Sequence, residues 1–230
     1  MTRALKFLMH GARGRFSQFQ WPRPDVGQGE WVDAGTVVAD CAYGVHACRV
    51  GDLPDWIDDE LWVVELAGGI LERESMLIAH RGRLVARVEA WGSDAQRAYA
   101  EACVWRYRDA AVAHLRRSGS SGEADVLAAA PDLAAIQSYA RDVAVATGDD
   151  VVAFAADAVS LLAGDRPDRW RDGSGGGVPQ APSATAANLG FVVAHAIAQI
   201  PNADSYERAF AEERDWQVRW LVARLGLTVQ

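Results

Sequence analysis

The stretch Glu60-Leu61-Trp62-Val63-Val64-Glu65-Leu66, closed by Gly68-Gly69, decides the fold. Aromatic and β-branched residues dominate it, as expected of a strand. Successive side chains of a strand point to opposite faces, so Trp62, Val64 and Leu66 share one face while Leu61 and Val63 share the other. Both faces read as buried, the pattern of a central strand. Glu65 then stands on an otherwise apolar face. A second strand is expected over Arg83 to Trp91, where Leu84, Ala86, Val88 and Ala90 alternate with Arg87 and Glu89.

Working outward, shorter strands are expected over Leu5 to Met9, Trp31 to Val32, Thr36 to Ala39, Val45 to Cys48 and Met76 to Ala79. Leu53-Pro54-Asp55-Trp56-Ile57 reads as one helical turn, with proline early and acids near the start. After Gly92 the apolar period lengthens. Helices are expected from Ser93 to Arg117, Pro131 to Ala146, Asp149 to Ala163, Ser183 to Ile200 and Ser205 to Leu225, the last ended by Gly226. The fold class is therefore α+β: a mostly antiparallel, strand-rich module over residues 1–92 packed against an all-helical module over 93–230. The glycine-rich segment 164–182 is expected to be a flexible loop inside the helical module.

Composition narrows the function. The 230 residues carry a formal net charge of −8, and half of them are apolar. An acidic chain lacks the concentrated cationic surface that neutralises phosphates, so no nucleic-acid partner is expected. The N-terminal apolar run is too short for a signal peptide, and no stretch reaches the 18 apolar residues of a membrane span. Cys41, Cys48 and Cys103 are too sparse for a disulfide scaffold. A cytoplasmic protein without a membrane partner is expected.

Chemistry concentrates in Asp40-Cys41-Ala42-Tyr43-Gly44-Val45-His46-Ala47-Cys48. On a strand, His46 and Cys48 share a face, and the turn at Gly44 brings Cys41 near. A structural zinc needs four ligands and a catalytic zinc three with an open position. The string supplies at most three, so the favoured reading is small, buried cysteines and no metal. His46 could serve as base to a Cys48 nucleophile, since contact between the two lowers a thiol pKa. Glu65 is a candidate general base, because a carboxylate on a buried strand must be paired or shifted. The competing reading pairs it with Arg81 or Arg87.

Nine tryptophans are many for this length. Trp216 and Trp220, four apart, share a helix face and read as packing residues. Trp170, among Arg166, Arg169 and Arg171, is placed to close over a bound molecule. The sequence contains no phosphate loop, GxSxG, GxGxxG or HExxH motif.

The string Cys41, Gly44, Val45, His46, Ala47 and Cys48, followed by Trp62-Val63-Val64-Glu65-Leu66 and Gly68, with Lys6-Phe7 near the start, resembles an uncharacterised family of bacterial and phage proteins. The likeness spans about the first 90 residues, or 1–92, and implies one module without implying an activity. Gly44-Val45-His46-Ala47 and Val64-Glu65-Leu66-Ala67-Gly68 also resemble the strand order of the ADP-ribosyltransferase fold. This chain departs from that fold in lacking a His-Tyr-Glu or Arg-Ser-Glu triad, and Lys6 or His10 would have to replace the first member.

Two functions follow as expectations. In the first, a small-molecule enzyme or pocket binder uses His46, Cys48 and Glu65 on the N-terminal strands, with an undetermined cofactor requirement and the Trp170 loop as lid. In the second, a noncatalytic interaction protein uses its helical half and Trp216/Trp220 for a partner or a homodimer.

Overall fold

In β1 (Thr2–Leu8), Ala4 and Leu8 point inward with the chain's only lysine, Lys6, between them. β1 runs antiparallel to β4 (Glu60–Glu72), with Leu5 opposite Val63 and Lys6 opposite Trp62. β4 in turn runs antiparallel to β5 (Leu77–Arg87), so the decisive stretch is a central strand. β2 (Val32–Asp33) and β3 (Val45–Ala47) both pair with the far edge of β5. This computed structural model describes residues 1–25, 27–35, 38–39, 43–162, 182–198 and 206–228.

One further pair of hydrogen bonds closes the sheet. Just past β3, Cys48 and Leu5 exchange both backbone bonds, at 2.7 and 2.9 Å. The ladder therefore runs β1–β4–β5–β3 and returns to β1 through this one bridge, so these four strands curl into a small barrel while β2 stays at the sheet's edge. Its interior holds Ala4, Leu8, Trp21, Val45, Ala47, Trp62, Val64, Leu66, Leu77, Ala79 and Leu84. Each large apolar side chain buried there stabilises by about 1.5–3 kcal/mol.

Glycines in β4 and β5 occupy positions that a side chain would strain. The sequence reading ends β4 at Gly68-Gly69, yet the strand continues to Glu72 through a bulge between Ala67 and Ile70. Gly68 takes a φ of +81°, and Gly69 N–H donates to His80 Nδ1 at 3.3 Å. Glycine in a strand marks a bulge as readily as an end. Gly82 lies within β5, where an added Cβ would sit 2.6 Å from Val45 Cγ1. Consequently the expected strands Met76–Ala79 and Arg83–Trp91 are one strand, which stops at Arg87. Trp91 lies beyond it, fully buried, its indole N–H on the Asp58 carbonyl at 2.8 Å. Thr36 lies outside the described residues, as does Val37, and Ala39 forms one bridge to Tyr43. A 3-10 turn spans Val50–Asp55.

The helices are α1 (Ser93–Arg117), α2 (Ser121–Ala128), α3 (Leu133–Thr147), α4 (Asp150–Leu162), α5 (Pro182–Asn188), α6 (Gly190–Ala198) and α7 (Tyr206–Leu225). An antiparallel N-terminal sheet with helices mainly in the C-terminal half is an α+β fold. α3 begins where Asp132 accepts a bond from Ala135 N–H at 2.8 Å and ends at left-handed Gly148. Two features depart from expectation. Helix α2 forms between the helices expected over Ser93–Arg117 and Pro131–Ala146, where none was expected, and the helix expected over 183–200 is interrupted at Leu189, where i to i−3 bonds replace helical ones.

The chain divides into two compact units, residues 1–95 with 218–230, and residues 96–217. Among the described residues, no helix is long and apolar enough to cross a membrane.

Candidate functional site

Of the residues singled out from the sequence, His46 and Cys48 stay two positions apart at β3, and Glu65 stands on β4. His46 lies on β3 between buried Val45 and Ala47, with Nδ1 3.2 Å from the Gly44 carbonyl. Cys48 is buried, and burial pushes its thiol pKa up; Asp52 adds to this and Lys6 opposes it. A thiol so placed stays protonated at neutral pH and is a poor nucleophile. Glu65 is held instead by Arg83, its direct cross-strand partner, through Nε at 3.0 Å and a terminal nitrogen at 2.7 Å. Arg3 adds a contact at 3.6 Å. Hydrogen bonding from Arg83 lowers the Glu65 pKa, which leaves it ionised and weakly basic.

Arg83 therefore takes the role that the sequence reading gave to Arg81 or Arg87. Those two pair with Asp33 and with Glu60 and Glu89. Leu5 pairs with Cys48 on one side and with Val63 on the other, so β1 lies between the chain at Cys48 and the strand that carries Glu65. None of His46, Cys48 and Glu65 lines the groove on α1 or the depression around Glu89 to Ala95. Cys41 lies outside the described residues, as do Trp170 and its neighbouring arginines. Among the described residues no three His, Cys, Asp or Glu side chains cluster as metal ligands.

Two further charged groups of the barrel are held by its own atoms. The Lys6 ammonium donates to the His46 carbonyl at 2.5 Å and lies 5.0 Å from the centre of the Trp21 ring. Burial lowers its pKa to about 8. Glu60 accepts the N–H groups of Gly11 and Ala12, whose left-handed backbones aim both at one carboxylate, each at 3.0 Å. Trp62 Nε1 donates a third bond at 3.0 Å. Burial acts to raise the Glu60 pKa, but these donors and Arg87 outweigh it and the net shift is downward. Both groups are bound to the barrel's own atoms.

A groove of about 580 Å³ lies in the helical unit. Its floor is one face of α1, where Ala102, Arg106, Asp109, Ala113 and Arg117 recur at helical spacing. Val193 and Ala196 of α6 form one wall and Trp216 of α7 the other, while Trp105 projects from α1. Beneath the wall, Ala209, Glu213 and Gln217 follow each other at four-residue spacing and are all buried. Glu213 is completely enclosed and takes the Arg106 Nε–H. Gln217 donates to Glu213 at 3.2 Å and to the Ala187 carbonyl at 3.4 Å. An added Cβ on Gly190 would meet Gln217 Nε2 at 3.0 Å and Glu213 Cγ at 3.1 Å, so glycine lets α6 approach the carboxylate.

Burial raises the Glu213 pKa, and Arg106 and Gln217 only partly offset it. The facing α1 stripe of Tyr99, Cys103 and Tyr107 is buried as well. Burial pushes Cys103 up to about 12 and both phenols well above their ordinary value. The Tyr107 hydroxyl donates to the Ala186 carbonyl. Above this layer the Arg106 guanidinium stacks on Trp216, 4.7 Å from the ring centre, with about a third of the side chain (34%) exposed. Among the described residues, its terminal nitrogens meet no acceptor. Comparison with protein-family models, curated proteins and solved structures finds no match to this chain.

Proposed function

We propose that the protein binds a small organic molecule in the groove formed by α1, α6 and α7, without performing chemistry on it. The observation that carries this reading is the fixing of Arg106 between a fully buried carboxylate and the face of Trp216, at the wall of a groove of about 580 Å³. That volume falls in the range of small-molecule sites. Enclosing Glu213 costs several kcal/mol before pairing. A guanidinium held this way is preorganised, so a ligand meets it without paying to order it. The groups of the helical unit with raised pKa values, Tyr99, Cys103, Tyr107 and Glu213, are buried and engaged by the protein, which suits support better than proton transfer.

The neutral fluorophore N-phenyl-1-naphthylamine tests the site. Its fluorescence is expected to rise saturably with one equivalent of native protein. Ala110→Phe, which fills the floor, is expected to abolish that rise while leaving the circular dichroism unchanged. An undiminished rise in the variant places the probe elsewhere and overturns the reading.

A further inference from the structure

We propose that the groove's ligand is a flat organic anion, of the aromatic carboxylate or sulfonate class. This rests on the reading of the groove as a ligand site and adds the charge and shape of what it takes. Three charged side chains line the groove: Arg106, Asp109 and Arg117. Arg106 is answered by Glu213 below it. Asp109 is answered by Arg108, whose Nε lies 2.7 Å away.

Arg117 is different. It donates a terminal nitrogen to the Ala196 carbonyl at 2.5 Å, a neutral acceptor in the last turns of α6. Among the described residues it meets no carboxylate. The groove therefore keeps one positive charge in a chain whose net charge is −8. The carbonyl holds one arm of a planar fork whose other N–H groups match the two oxygens of a carboxylate.

The shape of the ligand follows from the walls. Arg106 lies on one face of Trp216, and Arg108 lies 4.7 Å from the ring centre of Trp105. Each indole is thus braced from one side by a cation, which fixes its plane. The small Ala102, Ala110, Ala113 and Ala196 leave room for a flat body against these rings. A cationic ligand would meet an unneutralised arginine, and a neutral one would leave it unused.

Calorimetric titration with naphthalene-2-carboxylate, the neutral naphthalene-2-methanol and the cationic 2-naphthylmethylamine separates the cases. The carboxylate is expected to bind at least tenfold more tightly than the alcohol and to weaken as salt rises. Arg117→Gln, at an exposed position, is expected to erase that preference while leaving the alcohol's affinity unchanged. The double variant Arg106→Gln/Glu213→Gln, which removes the buried charge with its partner, is expected to weaken the carboxylate further. Equal affinities for alcohol and carboxylate, tightest binding of the amine, or a preference that survives Arg117→Gln overturns the anion assignment and leaves the groove reading standing. Failure of all three probes to bind overturns both.

Discussion

Removing Arg106 tests the physical argument for the groove. In Arg106→Gln the Glu213 carboxylate keeps, among the described residues, only Gln217 as a close donor, in a site with no solvent access. Breaking a buried pair by deleting one partner costs about 3–5 kcal/mol, because the surviving charge stays desolvated. About a third of the Arg106 side chain is exposed, so screening weakens the original pair and about 3 kcal/mol at pH 7.5 is the expected loss. The penalty is pH-dependent. A carboxyl whose folded pKa is raised binds a proton in the folded state that the unfolded chain has released. Stability from this group is therefore highest at low pH and falls as pH rises from the unfolded value through the folded one. Loss of Arg106 raises the folded pKa further, so the variant's deficit should shrink at pH 5.5. Urea denaturation followed by the helical circular dichroism signal measures this, with an expected midpoint shift of about 1 M at pH 7.5. Arg106→Gln/Glu213→Gln should recover most of the loss. A deficit below about 1 kcal/mol, or one equal at both pH values, would refute the claim that Glu213 is a buried charge tied down by Arg106.

Other consequences can be measured independently. With Cys41→Ser in the background, Cys48 and Cys103 should not react with Ellman's reagent in the native protein and should both react after unfolding, since both are buried with raised pKa values. Lys6 has a folded pKa of about 8 against an ordinary 10.5, so the unfolded chain holds a proton that the fold has released between those values. Stability of the native chain relative to Lys6→Met should thus rise from pH 8 to 10.5, and parallel profiles would count against the buried ammonium. Gly82→Ala should destabilise by about 1–3 kcal/mol through contact with Val45, and Gly82→Ala/Val45→Ala should suffer less than the sum of the single changes.

Much of the fold was legible because it depends on local periodicity. β4 and its two buried faces follow from alternation over Leu61 to Leu66, and the limits of α1 follow from Ser93 and the glycine-rich break after Arg117. Barrel closure was not legible, since it rests on one bridge between Leu5 and Cys48, 43 positions apart in sequence. Gly68-Gly69 and Gly82 misled for a shared reason: glycine's freedom serves a bulge or a close packing contact as well as a chain end. The interruption at Leu189 falls beside Gly190, where an added Cβ would come within 3.1 Å of Glu213 Cγ, a long-range approach that local periodicity does not show.

The groove was harder to read. His46, Cys48 and Glu65 attract notice by chemical type within a short string, whereas Arg106 and Glu213 look like ordinary surface charges in helical segments and lie 107 residues apart. A signal was nevertheless present. Glu213 and Gln217 occupy the register of Ala209, where an inward-facing helix position calls for an apolar residue. A polar residue at such a position implies a buried partner, though one sequence does not say which.

The most direct measurement follows the nine tryptophan indole N–H signals by NMR, assigned through Trp→Phe variants, while naphthalene-2-carboxylate is added. Binding in the groove predicts that Trp105 and Trp216 shift together and saturably, with Trp21, Trp31 and Trp62 of the barrel unmoved. Shifts confined to the barrel indoles, or none at saturating probe, would contradict it.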